Sequence, residues 1–321
     1  MNVIIDVNHP GHVHLFKNFA KMATKEGWKI LFTAKDKEVT LDLLKADQLN
    51  YKCLGKHYTG KIGKIYSLFY HVFRLFWISL FFRTDVFLSH GSVPASWVSF
   101  LLRRKYISFE DTGNMEQIRL YKPFAHTIFT TESFKQNYGE IQVRYRGFHE
   151  IAYLHPNYFK PNKDIFNFLG INEGEKYFIL RFVSWGASHD VGQKGLKDSD
   201  KEEIVQLLSQ HGNVFISSEA ALPDSLLKYK IKIPADKMHD ALAFAHFFVG
   251  EGATMASECA MLGTPAVYIN SMIAETIDEQ QEYGLLYHFT TSNGVLNKIK
   301  ELLDNTNLKR RVATKRRRLT L

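Results

Sequence analysis

The stretch from Phe247 to Ile269, FFVGEGATMASECAMLGTPAVYI, constrains the fold of this chain more than any other. Phe247, Phe248 and Val249 form a short apolar run suited to a buried strand end. Gly250, Glu251, Gly252, Ala253 and Thr254 follow, a small-residue loop in which backbone can turn sharply and approach a ligand closely. Met255 to Leu262 are good helix formers, and Gly263-Thr264-Pro265 stops the helix before a second strand at Ala266 to Ile269. Two strands joined through one helix imply a parallel sheet. At such a turn the free amides of the first helical turn and the positive end of the helix dipole both face an anion. Thr254 is placed as the N-cap. Glu258, four residues on and on the same face, is placed to accept two hydrogen bonds from a ribose diol. The same residues equally describe an ordinary strand-loop-helix, with Thr254 only capping and Glu258 solvated.

The arrangement G-E-G-A-T-M-x-S-E-x-A-x-L-G-T-P, Gly250 to Pro265, resembles the nucleotide-sugar site in the C-terminal domain of glycosyltransferase-B-fold enzymes. The chain looks nearest to an uncharacterised prokaryotic family of presumed glycosyltransferases. Lipid-linked N-acetylglucosaminyltransferases and non-hydrolysing UDP-N-acetylglucosamine 2-epimerases stand further off. The resemblance implies an α/β fold of two Rossmann-like domains, with parallel sheets facing across a cleft. It also implies that the small-residue loop holds the diphosphate of the donor, most simply a UDP-sugar, that Gly252, Thr254, Met255 and Ser257 bind that nucleotide sugar, and that Glu258 holds the ribose.

A chain of 321 residues suits two domains of ~150 residues each. The boundary is expected near residue 160, within a Pro- and Asn-bearing linker over roughly 148 to 172. Cys53 and Cys259, far apart, indicate neither a disulfide framework nor a zinc cluster. MNVIIDV begins a strand directly, so no signal peptide is expected and a cytoplasmic location is. The net charge of +8 is unevenly placed: no acid lies between Asp47 and Asp85, while a second basic cluster runs from Lys309 to Arg318. This asymmetry suggests anionic partners. No nucleic-acid-binding motif accompanies it, which leaves a membrane surface or an anionic substrate.

Val3 to Val7, Leu15 to Glu26 and Trp28 to Thr33 read as strand, helix and strand. The Asn8 to His14 loop between them sits at a carboxyl strand end, where open α/β sheets bind ligands. Its three histidines do not argue for a metal, because Pro10 and Gly11 are expected to interrupt helical spacing and no carboxylates complete a set. Gly11-His12 matches the Gly-His pair that the resemblance places on the acceptor side, although the several glycines of that loop are missing. His12 is then the expected general base, or a donor to sugar or phosphate. Ile65 to Phe82 is the most apolar segment, with Ser67, His71 and Arg74 on one face. Its 18 residues fall short of a normal span of ~20, and it reads as a helix buried beside the sheet or an interfacial helix touching a bilayer.

Tyr106 to Phe109 is a strand leading into Glu110 and Asp111. Glu110 resembles the glutamate that follows the corresponding strand in the 2-epimerases, so with His12 it is an expected catalytic residue, and the acceptor is expected at the loops of His12, His90 and Glu110. Those enzymes also want an aspartate after His90-Gly91, where this chain has Ser92. The plainer reading makes Glu110 and Asp111 an N-cap and a first-turn acid. Thr127 to Thr130 is expected as the last regular strand of the first domain. Arg181, on the strand Tyr177 to Val183, and His189 in the loop beyond it lie where the resemblance brings cationic groups to the diphosphate. Arg181 equally reads as half of a structural ion pair. Glu279, on a helix over Glu275 to Tyr283, and its neighbour Gln280 are the implied sugar contacts.

These features lead to a glycosyltransferase of cell-surface glycan synthesis, peripheral on the inner face of the membrane, with a lipid-linked or glycan acceptor. No cofactor or metal is expected, because helix amides and Arg181 would carry the leaving-group charge. Two alternatives stay open: a 2-epimerase-like isomerase, and a non-catalytic nucleotide-sugar or lipid-binding protein.

Overall fold

The computed structural model describes residues 1–56, 60–183, 195–219, 221–271, 275–305 and 308–317. It divides into two compact units, Met1–Tyr153 and Leu154–Leu321. The first carries β1 (Asn2–Val7), α1 (Pro10–Lys25), β2 (Lys29–Asp36), α2 (Thr40–Ala46), β3 (Tyr51–Lys56), α3 (Lys61–Phe82), β4 (Val86–His90), α4 (Val93–Leu101), β5 (Lys105–Glu110), α5 (Met115–Tyr121), β6 (Thr127–Thr131) and β7 (Gln142–Tyr145). These strands form one parallel sheet in the order β3-β2-β1-β4-β5-β6-β7.

The short helix α6 (Ile151–Leu154) straddles the division. The second unit then runs α7 (Ile165–Leu169), β8 (Tyr177–Phe182), α8 (Asp198–Ser209), β9 (Asn213–Ser218), α9 (Met238–Phe244), β10 (Phe247–Gly250), α10 (Ala253–Leu262), β11 (Ala266–Ile269), α11 (Glu275–Glu282), β12 (Leu286–Phe289), α12 (Val295–Asp304) and α13 (Leu308–Arg317). Its sheet is parallel too, ordered β12-β11-β10-β8-β9. Both units are Rossmann-like, as expected.

The central strands are apolar on both faces because helices cover both. Phe247, Phe248 and Val249 of β10 are fully buried, and each aromatic contributes roughly 2–3 kcal/mol by leaving water. In each sheet the strand order reverses beside the first strand, between β1 and β4 and between β8 and β10. Loops leaving two adjacent strands part there and open a crevice at the carboxyl edge.

Several boundaries differ from expectation, α3 among them, which starts at Lys61 rather than Ile65 and runs 22 residues. Helix α1 begins at Pro10 rather than Leu15, since proline at the first helical position gives up an amide that has no partner anyway. His9 serves as its N-cap, Nδ1 accepting from the Gly11 amide at 3.1 Å. The first sheet continues past β6 to β7, whose Gln142 Nε2 donates to Thr130 Oγ1 at 2.8 Å. The basic tail from Leu308 is helix, and Arg316 Nη1 donates to the carbonyls of Met261 and Leu262 at the C-terminus of α10. Part of that charge therefore serves the fold, closing the negative end of a helix dipole.

Candidate functional site

The crevice of the first unit is lined by imidazoles. His12 lies in the first turn of α1 and His90 ends β4, so the topology of the switch point brings them together. Their rings stack with centroids 4.5 Å apart. Asp111, just beyond β5, joins two histidines. His90 Nε2 lies 2.9 Å from its Oδ1, and His149 Nδ1, in the turn after β7, lies 2.8 Å from its Oδ2. Burial alone would raise the carboxyl, but the two imidazoles hold it well below the usual range, so it is ionised and the rings must be the donors. Burial would depress His90, yet the charge and hydrogen bond of Asp111 outweigh it and push the ring up to about 9. His12 goes the other way. Burial, then the charges of His90 and His9, hold it well below the ordinary histidine value, and His12 Nδ1 faces the Asn8 amide at 3.4 Å.

The result is a neutral imidazole stacked on a cationic one that a carboxylate anchors. A neutral imidazole is the form that can take a proton. His90, Asp111 and His149 each offer one ligand-type atom within 4.8 Å of the others, the donor set of a divalent cation site, and both imidazoles pair with the carboxylate there.

Beneath this layer the groups are structural. Asp6 is buried at the end of β1 and accepts from Thr33 Oγ1 at 2.6 Å and Ser92 Oγ at 2.5 Å. Ser92 also caps α4, accepting from the Ala95 amide at 3.2 Å. Glu110 is only 2% exposed, and both its oxygens are engaged. Oε1 accepts from the Thr112 amide, the Thr112 hydroxyl and the Gly113 amide at 2.8, 2.7 and 3.1 Å, and Oε2 accepts from Tyr121 at 2.6 Å. The N-cap of α5 is Asn114, not Glu110 or Asp111.

In the second unit the switch point is formed by the ends of β8 and β10 and the start of α10. Gly252 is the N-cap, and having no side chain it brings no acceptor to the amides of that first turn. The cap expected of Thr254 is therefore corrected: the helix starts at Ala253, and Thr254 stands inside it and exposed. A Cβ on Gly250 would lie 2.6 Å from the Arg181 carbonyl, so β10 needs glycine there to run this close to β8, and one on Gly252 would lie 3.3 Å from Arg181 Cγ. Arg181 donates from Nη1 to Ser217 Oγ at 2.7 Å and from Nη2 to Glu219, the ion pair its strand position allowed.

Glu258 is buried rather than solvated, with His239 Nε2 of α9 at 2.9 Å from its Oε1. Ser257 is buried and accepts from Gln280 Nε2 at 2.5 Å. Met255 and Glu279 are half-buried on α10 and α11. Thus Gly252, Thr254, Met255, Ser257 and Glu258 share one helix, Arg181 touches its cap, and α11 joins it through Gln280. His189 lies outside the described residues. Glu251, which the sequence reading left without a role, is buried, and its carboxylate accepts from the amides of Val183 at 3.1 Å and Leu196 at 2.6 Å.

The expectation of a metal-free site passes over one Asp-x-Asp spacing, Asp198-Ser199-Asp200. It opens α8, where Asp200 accepts from the Lys197 amide at 3.2 Å and Asp198 pairs with Lys201 at 2.9 Å.

A family model described as "Protein of unknown function (DUF354)" matches residues 1–320. The chain belongs to the DUF354 family. A curated relative of this DUF354 chain, the uncharacterized protein MJ0665 of Methanocaldococcus jannaschii, is 27% identical over 281 residues, which is 83% of this chain and 81% of that protein. The fold is shared with the UDP-GlcNAc 2-epimerase of Neisseria meningitidis bound to UDP-GlcNAc, at a TM-score of 0.74, 13% identity and coverage of 98% and 94% of the two chains. It is also shared with the glycosyltransferase SsfS6 of Streptomyces sp. SF2575 (TM-score 0.60, 13% identity, 99% and 96% covered) and with MurG of Acinetobacter baumannii (TM-score 0.57, 16% identity, 99% and 95% covered).

Proposed function

We propose that this DUF354 chain is a metal-independent glycosyltransferase that takes its sugar from a nucleoside diphosphate, most simply UDP, for cell-surface glycan synthesis. One observation carries the reading. Helix α10 starts at a switch point under a bare glycine cap, so no capping side chain competes for its first-turn amides, while Arg316 closes its other end. A diphosphate is the ligand that such an uncompensated positive end favours. Glu258 would take the ribose in exchange for His239, and Glu279 would meet the sugar. Arg181, against the cap, and His189 would offset charge on the departing diphosphate. On the acceptor side, neutral His12 would remove the proton of the attacking hydroxyl, and cationic His90 would orient an anionic acceptor, glycan or lipid-linked.

A second reading, 2-epimerisation, is favoured by the closer overlay on the Neisseria epimerase than on either glycosyltransferase. Against it stand Ser92, whose hydroxyl is committed to Asp6 and the α4 cap, and Glu110, whose two oxygens both hold hydrogen bonds within its own loop and α5. Incubation with UDP- and GDP-sugars, with and without a lipid extract as acceptor source, separates the readings. Nucleotide released only with acceptor supports transfer. An epimerised sugar overturns it in favour of the isomerase, and binding without turnover leaves a non-catalytic carrier.

A further inference from the structure

Helix α3 is apolar on its outer face as well as its inner one, where Leu68, Val72, Phe76, Ile78 and Phe82 pack on the core. Its inward seam, at a spacing of four, is Ser67, His71, Leu75 and Ser79, exposed by 4%, 0%, 0% and 1%. Ser67 Oγ bonds His71 Nδ1 at 3.0 Å, and Ser79 Oγ donates to the Leu75 carbonyl at 2.6 Å, so three of these four buried positions are polar. The outward face is Ile62, Tyr66, Phe69, Phe73, Trp77 and Phe81, with Phe73 62% and Phe81 83% exposed. Those positions recur every three or four residues, so one apolar stripe runs the helix's whole length of about 33 Å. A helix facing water is polar on that face.

The stripe widens through neighbouring elements. Phe69 meets Trp97 of α4 at 6.2 Å, Trp97 Nε1 donates to the carbonyl of exposed Leu120, and Phe100 on α4 is exposed as well. Cations stand around it: Lys64 near one end, Arg83 at the other, and Arg103, Arg104 and Lys105 after α4, all exposed. The chain from 48 to 84 holds no acid at all. By length and composition α3 passes as a membrane span, and among the described residues it is the one helix that does. Its buried seam packs on α4 and the sheet, however, so it lies along the surface of its unit.

We infer that the outward face of α3, continued by α4, is a docking surface for an anionic phospholipid bilayer. The aromatic stripe would enter the acyl boundary, and the surrounding lysines and arginines would meet lipid phosphates. Charge chooses this occupant over a second copy of the chain, because two such faces would set their basic rims against each other. The inference stands apart from the proposed chemistry, since a membrane-bound protein need not transfer sugar.

Sedimentation of the full chain with vesicles of phosphatidylcholine, with and without phosphatidylglycerol, is the test. The wild type should pellet with the anionic vesicles and be released by salt. The triple variant Ile62→Ser, Phe73→Ser, Phe81→Ser should bind at least ~tenfold more weakly while keeping its circular dichroism and melting temperature. Wild type that stays in the supernatant, or a triple variant that binds equally well, overturns the inference. So does a dimer that dissociates in the variant without any vesicle binding, which would make the face a self-association surface. A measurement on intact protein guards against misfolding of the variant. Brominated acyl chains should quench tryptophan fluorescence, and Trp77→Phe should lose part of that quenching; absence of quenching in the wild type overturns the inference equally.

Discussion

At the scale of single residues, the division of charge among His12, His90 and Asp111 sets what the first crevice can do. Replacing His12 with Gln keeps a polar group of similar size but removes the proposed base. Turnover should fall by ~10²–10⁴ with nucleotide binding unchanged, as read by paired kinetics and calorimetry. His90 also has a thermodynamic signature. Its folded value of about 9 exceeds the ordinary 6.5, so its stabilising share is complete below pH 6.5 and vanishes as pH climbs through 9. Asp111 is depressed, so its share is present above its ordinary value of 3.8 and is lost as acid protonates it. Between pH 6.5 and 9, wild type should lose about 3 kcal/mol that His90→Gln does not, measured by urea unfolding at both ends. This cluster was only partly legible. His12 could be found from its place after a strand, whereas His149 follows β7, which the reading left unassigned, and no local spacing announces a partnership spanning 38 residues.

At the scale of elements, the strand-loop-helix from Phe247 to Ile269 could be read nearly to the residue, because apolar runs, glycines and a proline punctuate it. The role of its threonine could not, since whether the cap falls at 252 or 254 depends on how tightly β10 runs beside β8. That closeness is measurable. Gly250→Ala would drive a methyl against the Arg181 carbonyl and should cost roughly 1–3 kcal/mol in chemical denaturation, without any change of backbone dihedral being required. Helix α1 shows the complementary limit: Pro10 looks like an interruption until its place at the first helical position is known. In α3 the polar face was visible, but only packing decides that this face goes inward.

At the scale of the whole molecule, the two parallel sheets followed from the alternation of strand and helix patterns, while their different strand numbers did not. Two units with separate cores should give two calorimetric transitions. UDP at a hundredfold excess over its Kd should stabilise the Leu154–Leu321 transition by about 2.7 kcal/mol and leave the other in place. A shift confined to the Met1–Tyr153 transition would assign the nucleotide to the wrong sheet. Helix α3 adds a consequence for variation. Side chains at positions such as 73 and 81 contribute little to the fold, so purified variants there should melt normally, yet cells could discard them for losing their address. Enlarging Ser67 or Ser79 would do the reverse, crowding the interior of a protein that still reaches its station. Melting curves and growth would therefore rank substitutions along this one helix in opposite orders.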